Sequence, residues 1–123
     1  LTVDQDERMI GRVTRISILY DFYAKLLTDR QREMLELHNF DDWSLSEIAQ
    51  HYKVSRQAVH DNLRRAEEQL EYYEAVLQLY AEYTARAARI SAVRQVWAGM
   101  VDALPPALSI GMQQALDDLT ADT

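Results

Sequence analysis

All three glycines (Gly11, Gly99 and Gly111) and both prolines (Pro105 and Pro106) lie outside residues 12–98. Glycine and proline are the strongest interrupters of regular structure. A run of that length without either reads as nearly continuous helix, its turns made by Ser, Asp and Asn. The apolar spacing agrees. Val13, Ile16, Leu19, Tyr20, Phe22, Tyr23, Leu26 and Leu27 recur at intervals of three and four. That spacing predicts an amphipathic helix over about 8–27 with a wide buried face. The polar Asp4–Arg8 segment before it is expected to fray. Thr28 and Gln31 have capping-box spacing and open a helix to about His38, with Met34, Leu35 and Leu37 on its core side. Asn39–Trp43 reads as a turn.

Ser44 stands three residues before Glu47, again the spacing at which two side chains reciprocally satisfy orphan N–H groups of a helix start. The short helix it opens, over about 45–52, carries Leu45, Ile48, Ala49 and Tyr52 on one face. Lys53 and Val54 break the pattern. Ser55 then caps a second helix whose apolar stripe is Val59, Leu63, Ala66 and Leu70. Two helices joined by a tight turn, with the small Ala49 where they approach, make a helix-turn-helix. The turn of such motifs often carries glycine, and Lys53 occupies it here. The second helix of the motif enters the major groove with its N-terminal residues toward base edges. That geometry selects Ser55, Arg56, Gln57 and His60.

Neither breaker ends this second helix before Gly99, so it is expected to run unbroken well past Leu77. Leu63, Leu70 and Leu77 repeat every seven residues beside Ala66, Tyr73 and Tyr80, while Val76, Leu79, Tyr83, Ile90, Val93 and Trp97 form a second stripe. One helix cannot bury two stripes against one short partner. Part of this surface is expected to face another chain, and a homodimer is the expected assembly. Beyond Pro105-Pro106, the spacing of Leu108, Met112, Ala115, Leu116 and Leu119 predicts a terminal helix over about 107–119. The expected fold is all-α: a helix-turn-helix domain over 1–98 with an extended recognition helix, and a helical tail over 99–123. That tail belongs to the same domain or to the dimer interface.

Several function classes are disfavoured. The chain has no cysteine, so disulfides and thiolate metal sites are out. His38, His51 and His60 share no ligand spacing, and no metal or cofactor is expected. No phosphate-cradling glycine loop and no nucleophile motif is present, and Asp41-Asp42 reads as a solvated turn pair, so no enzyme is expected. No apolar run approaches the ~20 residues a bilayer span requires. With its charged beginning, the chain is expected to be cytoplasmic without membrane insertion. A net charge of −7 argues against a general nucleic-acid coat. Yet residues 44–66 set Lys53, Arg56, Arg64 and Arg65 against only Glu47 and Asp61.

These residues carry a family resemblance. The stretches Leu19–Thr28, Ser44–Ala49 and Val54–Asn62 (LYDFY with LLT, SLSEIA, VSRQAV with DN) resemble the YlxM-like helix-turn-helix proteins of Gram-positive bacteria. The similarity covers about residues 12–95, and the segment after Ala85 follows the pattern only loosely. The motif is also similar, more generally, to region four of bacterial sigma factors. YlxM-like proteins are encoded beside the signal recognition particle genes. The resemblance therefore implies a regulatory or accessory role in that pathway, with DNA or signal recognition particle RNA, and the particle's protein components, as implied partners.

Two readings stay open. In the first, Arg56 and Gln57 meet guanine and adenine edges while Lys53, Arg64 and Arg65 meet phosphates, with Ser55 and His60 beside them. Asp61 opposes it, since a carboxylate one turn into the reading helix repels phosphate. Arg64 and Arg65 have the helical spacing for salt bridges to Asp61 and Glu68 instead. In the second reading, the scaffold is a protein-interaction adaptor that has lost nucleic-acid affinity and docks a basic partner on its acidic surface. Tyr72, Tyr73, Tyr80 and Tyr83 read as core or interface in preference to a base-stacking row.

Overall fold

The computed structural model describes residues 3–121, with side chains from position 14 onward. Among the described residues there are six α-helices and no strand: α1 Val3–Tyr23, α2 Asp29–Leu35, α3 Leu45–Tyr52, α4 Arg56–Leu77, α5 Leu79–Met100 and α6 Pro106–Ala121. Two compact units follow the chain, Leu1–Tyr80 and Ala81–Thr123, and the boundary expected at 98/99 lies inside the second.

The all-α expectation holds, and so do the expected starts of α2, α3 and α4. Thr28 and Gln31 close their capping box, Oγ1 accepting from Gln31 N–H at 3.2 Å and Oε1 accepting from Thr28 N–H at 3.1 Å. α1 begins earlier than expected, so Asp4–Arg8 is helical backbone. It also ends earlier, at Tyr23, tightening into a 3-10 turn over Ala24–Leu26 before Leu27 turns extended. Val13, expected on the buried face, lies outside the described side chains. After α2 the chain widens into a π-type turn over Glu36–Phe40. Asp42 then takes a left-handed conformation (φ 59°), which Asp tolerates better than most residues.

The core of the first unit is one cluster. Ile16, Leu19, Tyr23 and Leu27 come from α1 and the turn after it, and Met34 and Leu35 from α2. Ile48 and Ala49 come from α3, and Val59, Leu63, Ala66 and Leu70 from α4. The predicted stripe of α4 is thus buried in full. At roughly 1.5–3 kcal/mol for each large apolar side chain withdrawn from water, this stripe holds the helix-turn-helix to α1. Arg15 of α1 adds a bidentate pair to Glu71 of α4 (2.6 and 2.9 Å). The Arg15 hydrogen bond lowers the Glu71 carboxyl from its ordinary value. Both side chains are about half exposed, so the pair sets geometry more than stability.

The expectation that α4 runs unbroken past Leu77 is overturned. Gln78 adopts a left-handed conformation (φ 55°, ψ 32°), and its N–H donates to the Glu74 carbonyl at 2.9 Å. This is a left-handed helix stop, built without glycine. The cause is long-range. The buried Tyr23 hydroxyl donates to Glu74 Oε1 at 2.5 Å and accepts from Leu79 N–H at 3.0 Å, while Tyr80 N–H donates to Glu74 Oε1 at 3.1 Å. Two first-turn donors of α5 are thereby satisfied. The same contacts solvate a carboxylate that would otherwise be costly to bury. Leu77, expected in the seam, is consequently exposed.

In the second unit, Trp97 and Leu116 are buried. Trp97 Nε1–H donates to Gln113 Oε1 at 2.9 Å. Arg94 Nη2 donates to the Leu116 carbonyl at 2.8 Å and to Thr120 Oγ1 at 3.0 Å. Pro106 opens α6 as expected, its ring suited to a position whose N–H has no helical partner.

Two outcomes follow from the first unit's hydroxyl–carboxylate pairs. Tyr23→Phe strips a donor from buried Glu74 and an acceptor from Leu79 N–H. Urea unfolding should register a loss on the order of 1–3 kcal/mol, with Glu74→Gln milder because its carbonyl oxygen still accepts. Tyr20, Tyr23 and Tyr52 donate to Glu36, Glu74 and Glu33 respectively. Burial first, and then these bonds, push all three phenols up, Tyr52 to about 12. The folded state holds these protons more tightly than the unfolded chain, whose value is near 10.0. That stabilisation is complete below pH 10 and is lost as pH rises toward 12, so the melting temperature should fall across that interval.

Candidate nucleic-acid interface

The motif is built from its caps inward. Ser44 Oγ accepts from Glu47 N–H at 3.1 Å and Glu47 Oε1 accepts from Ser44 N–H at 3.3 Å, fixing the start of α3. At its end Lys53 sits in the left-handed region (φ 57°, ψ 45°). Lys53 N–H donates to the Gln50 carbonyl at 3.3 Å and Val54 N–H to the Ala49 carbonyl at 3.0 Å. This double closure is a Schellman turn, made here by lysine at the position glycine usually fills. Ser55 Oγ then accepts from Ala58 N–H at 3.0 Å and starts α4. Ile48 and Ala49 pack with Val59 and Leu63 in the core, so the opposite face of α4 is turned outward.

Lys53, Ser55, Arg56, Gln57, His60, Arg64 and Arg65 are all exposed. Ser55, Arg56, Gln57 and His60 share the first turns of α4, beside Lys53 in the turn, and Arg64 and Arg65 lie two turns on. Their engagements differ. Gln57 Nε2 donates to Asp61 Oδ1 at 3.1 Å, and His60 Nδ1 lies 3.7 Å from the same oxygen. Arg64 Nε stands 4.0 Å from Glu68 Oε1, and Arg64 rims a hollow of about 370 Å³ with Arg15, Glu67, Glu68 and Glu71. Lys53, Arg56 and Arg65 form no ion pair among the described residues. Two guanidinium groups and one ammonium are therefore available to a ligand without breaking an internal contact.

The residue pattern did not reveal a row of ring contacts beside the motif. Trp43 meets His51 edge-on at 5.5 Å and His51 meets Tyr52 at 4.8 Å, while the Arg30 guanidinium lies 4.4 Å over the Tyr52 ring. Arg30 and His51 are exposed members of it. The cation–π contact joins residues 22 positions apart, and no local spacing announces it. The tyrosines divide. Tyr73 and Tyr80 pack on the core, whereas Tyr72 and Tyr83 are exposed.

A four-helix core in which two capped helices, α3 and α4, meet through a tight turn and α4 keeps one face outward defines a helix-turn-helix protein. The comparisons agree. A family model described as YlxM / p13 like helix-turn-helix protein matches residues 10–99, and the chain belongs to this family, UPF0122. The chain is 49% identical over 77 residues to a UPF0122 protein of Streptococcus suis (strain 98HAH33), covering 63% of this chain and 68% of that one. It is 50% identical over 78 residues to a UPF0122 protein of Anoxybacillus flavithermus, covering 63% and 71%. For one from Streptococcus mutans the identity is 46% over 84 residues, covering 68% and 76%. No described helix is long and apolar enough to cross a membrane.

The turn gives a direct check. Lysine at a left-handed position costs on the order of 1 kcal/mol against glycine, and a β-branched residue costs more. Lys53→Gly should leave the midpoint of chemical unfolding unchanged or raised, and Lys53→Val should lower it, with a loss of about 1–3 kcal/mol in unfolding free energy. Equal midpoints for the two variants would contradict the strained-turn assignment.

Proposed function

We propose that this protein is a non-enzymatic, cytoplasmic, nucleic-acid-binding regulatory or accessory factor of the signal recognition particle pathway, working as a homodimer. The observation that carries the reading is the start of α4: Lys53 and Arg56 stand exposed beside the Ser55 cap, at the N-terminal end of a fully buried stripe and without an ion pair among the described residues. Side chains at such a helix start reach base edges, and cations further along reach phosphates. The pathway is drawn from the resemblance to YlxM-like proteins, and the ligand is DNA or the particle's RNA. Gln57 and Arg64 enter the interface by exchanging Asp61 and Glu68 for the ligand, so Arg56, Lys53 and Arg65 carry the first contacts. The homodimer reading draws on apolar side chains left exposed, among them Leu77, Tyr83 and Val93.

Titrations of the protein against labelled signal recognition particle RNA and against duplex DNA, at several salt concentrations, test this. A steep fall of affinity with salt is expected, because phosphate contacts release counterions. Arg56→Ala should cost on the order of 1–3 kcal/mol and relax any sequence preference. Arg65→Ala should weaken all targets alike and reduce the salt slope by about 1. If both variants and the parent bind alike, the adaptor reading replaces this one, and charge reversal at Glu67 and Glu68 becomes the informative change.

A further inference from the structure

The second unit leaves most of its large apolar side chains in water. Val93, Val96 and Met100 of α5 are 50%, 68% and 43% exposed, and Leu108, Met112 and Leu119 of α6 are 62%, 48% and 45% exposed. These are not scattered. Val93, Val96, Trp97 and Met100 form one wall of a trough of about 350 Å³ whose other wall is Met112 and Leu116. Leu108 and Leu119 extend the Met112 wall by helical spacing, four residues before it and seven after. A two-helix hairpin is near the ~40-residue floor below which a fold needs disulfides, a metal or association to be stable. This chain has no cysteine.

Charge identifies the occupant. From Ala85 to Trp97, α5 carries Arg86, Arg89 and Arg94 and no acid, whereas α6 carries Asp117 and Asp118 and no base. Within the hairpin Arg94 reaches Asp117 at 3.5 Å and Arg86 donates to the Leu119 carbonyl at 3.3 Å. Arg89 and Asp118 have no ion-pair partner among the described residues. A surface basic on one helix and acidic on the next is complementary to its own two-fold image, as an isologous interface requires. The six exposed side chains offer roughly 600 Å² of accessible surface, and with a polar rim they approach the ~800 Å² each partner gives to a standard interface.

We propose that the α5–α6 hairpin is the self-association surface. Two copies meet trough to trough as a four-helix bundle, α5 of each against α6 of the other, with Arg89 beside the partner's Asp118. This rests on the homodimer reading above and assigns it to one surface. Sedimentation and light scattering of the full chain test it. The wild type is expected at twice the 14.3 kDa chain mass. Val96→Glu and Met112→Glu each place an unpaired carboxylate in the bundle and should raise the dimer dissociation constant on the order of 100-fold, with helical circular dichroism unchanged. Should either variant lose helicity, Arg89→Glu on the rim supplies the reading, with about tenfold weaker association expected. A monomeric wild type overturns both the homodimer reading and this surface. A wild-type dimer that all three variants leave intact overturns the surface alone.

Discussion

The hydrogen bond from the Tyr23 hydroxyl to the buried Glu74 carboxylate governs how the first unit is closed. A carboxylate removed from water requires donors, and three polar groups converge on this one node: the Tyr23 hydroxyl, Leu79 N–H and Tyr80 N–H. Without the node, α4 would have to continue or leave its last carbonyls and the next helix's first donors unsatisfied. With it, a helix ends at Leu77 although no Gly or Pro is present. The left-handed strain at Gln78, on the order of 1–2 kcal/mol for a residue with a Cβ, is offset by two satisfied backbone donors and a solvated charge.

What local spacing dictates was legible in the sequence, and what depends on distant partners was not. The three Ser/Thr caps at Thr28, Ser44 and Ser55 each needed only a side chain and a backbone N–H three residues away, and all three form. The stripe Val59–Leu63–Ala66–Leu70 needed only the helical period, and all four are buried. The stop at Gln78 needed Tyr23, 51 residues before Glu74. No window along the chain contains both. The same break divides the second stripe, leaving Val76 on α4 and Leu79 at the start of α5, both exposed.

The candidate site divides along the same line. Exposure of Arg65 follows from the apolar face of α4 being buried opposite it, and that face was readable; Arg56 lies seven residues before Leu63, on the stripe's own side, and is exposed in the first turn ahead of Val59, while Lys53 is exposed in the turn before the helix. The Arg64–Glu68 approach was readable at four-residue spacing. The Gln57–Asp61 bond has the same spacing, but choosing it over a free amide needs the rotamers of both side chains. The row from Trp43 through His51 and Tyr52 to Arg30 joins three elements and has no signature within any one of them.

Charge then decides what kind of contact such a surface can support. A chain with a net charge of −7 repels a polyanion at distances beyond a Debye length, so a diffuse electrostatic encounter contributes little. What remains attractive is short-range and confined to the stretch where four cations face two acids. Asp61 sharpens this further. It is held between Gln57 and His60, and on the proposed reading phosphate approaches away from it, over Lys53 and Arg56 at the helix start. On the proposed nucleic-acid reading, such an interface discriminates by position instead of by bulk attraction: a phosphate backbone that misses the turn at Lys53 meets Asp61 or the glutamates of α4, and one that reaches it meets cations that form no ion pair among the described residues.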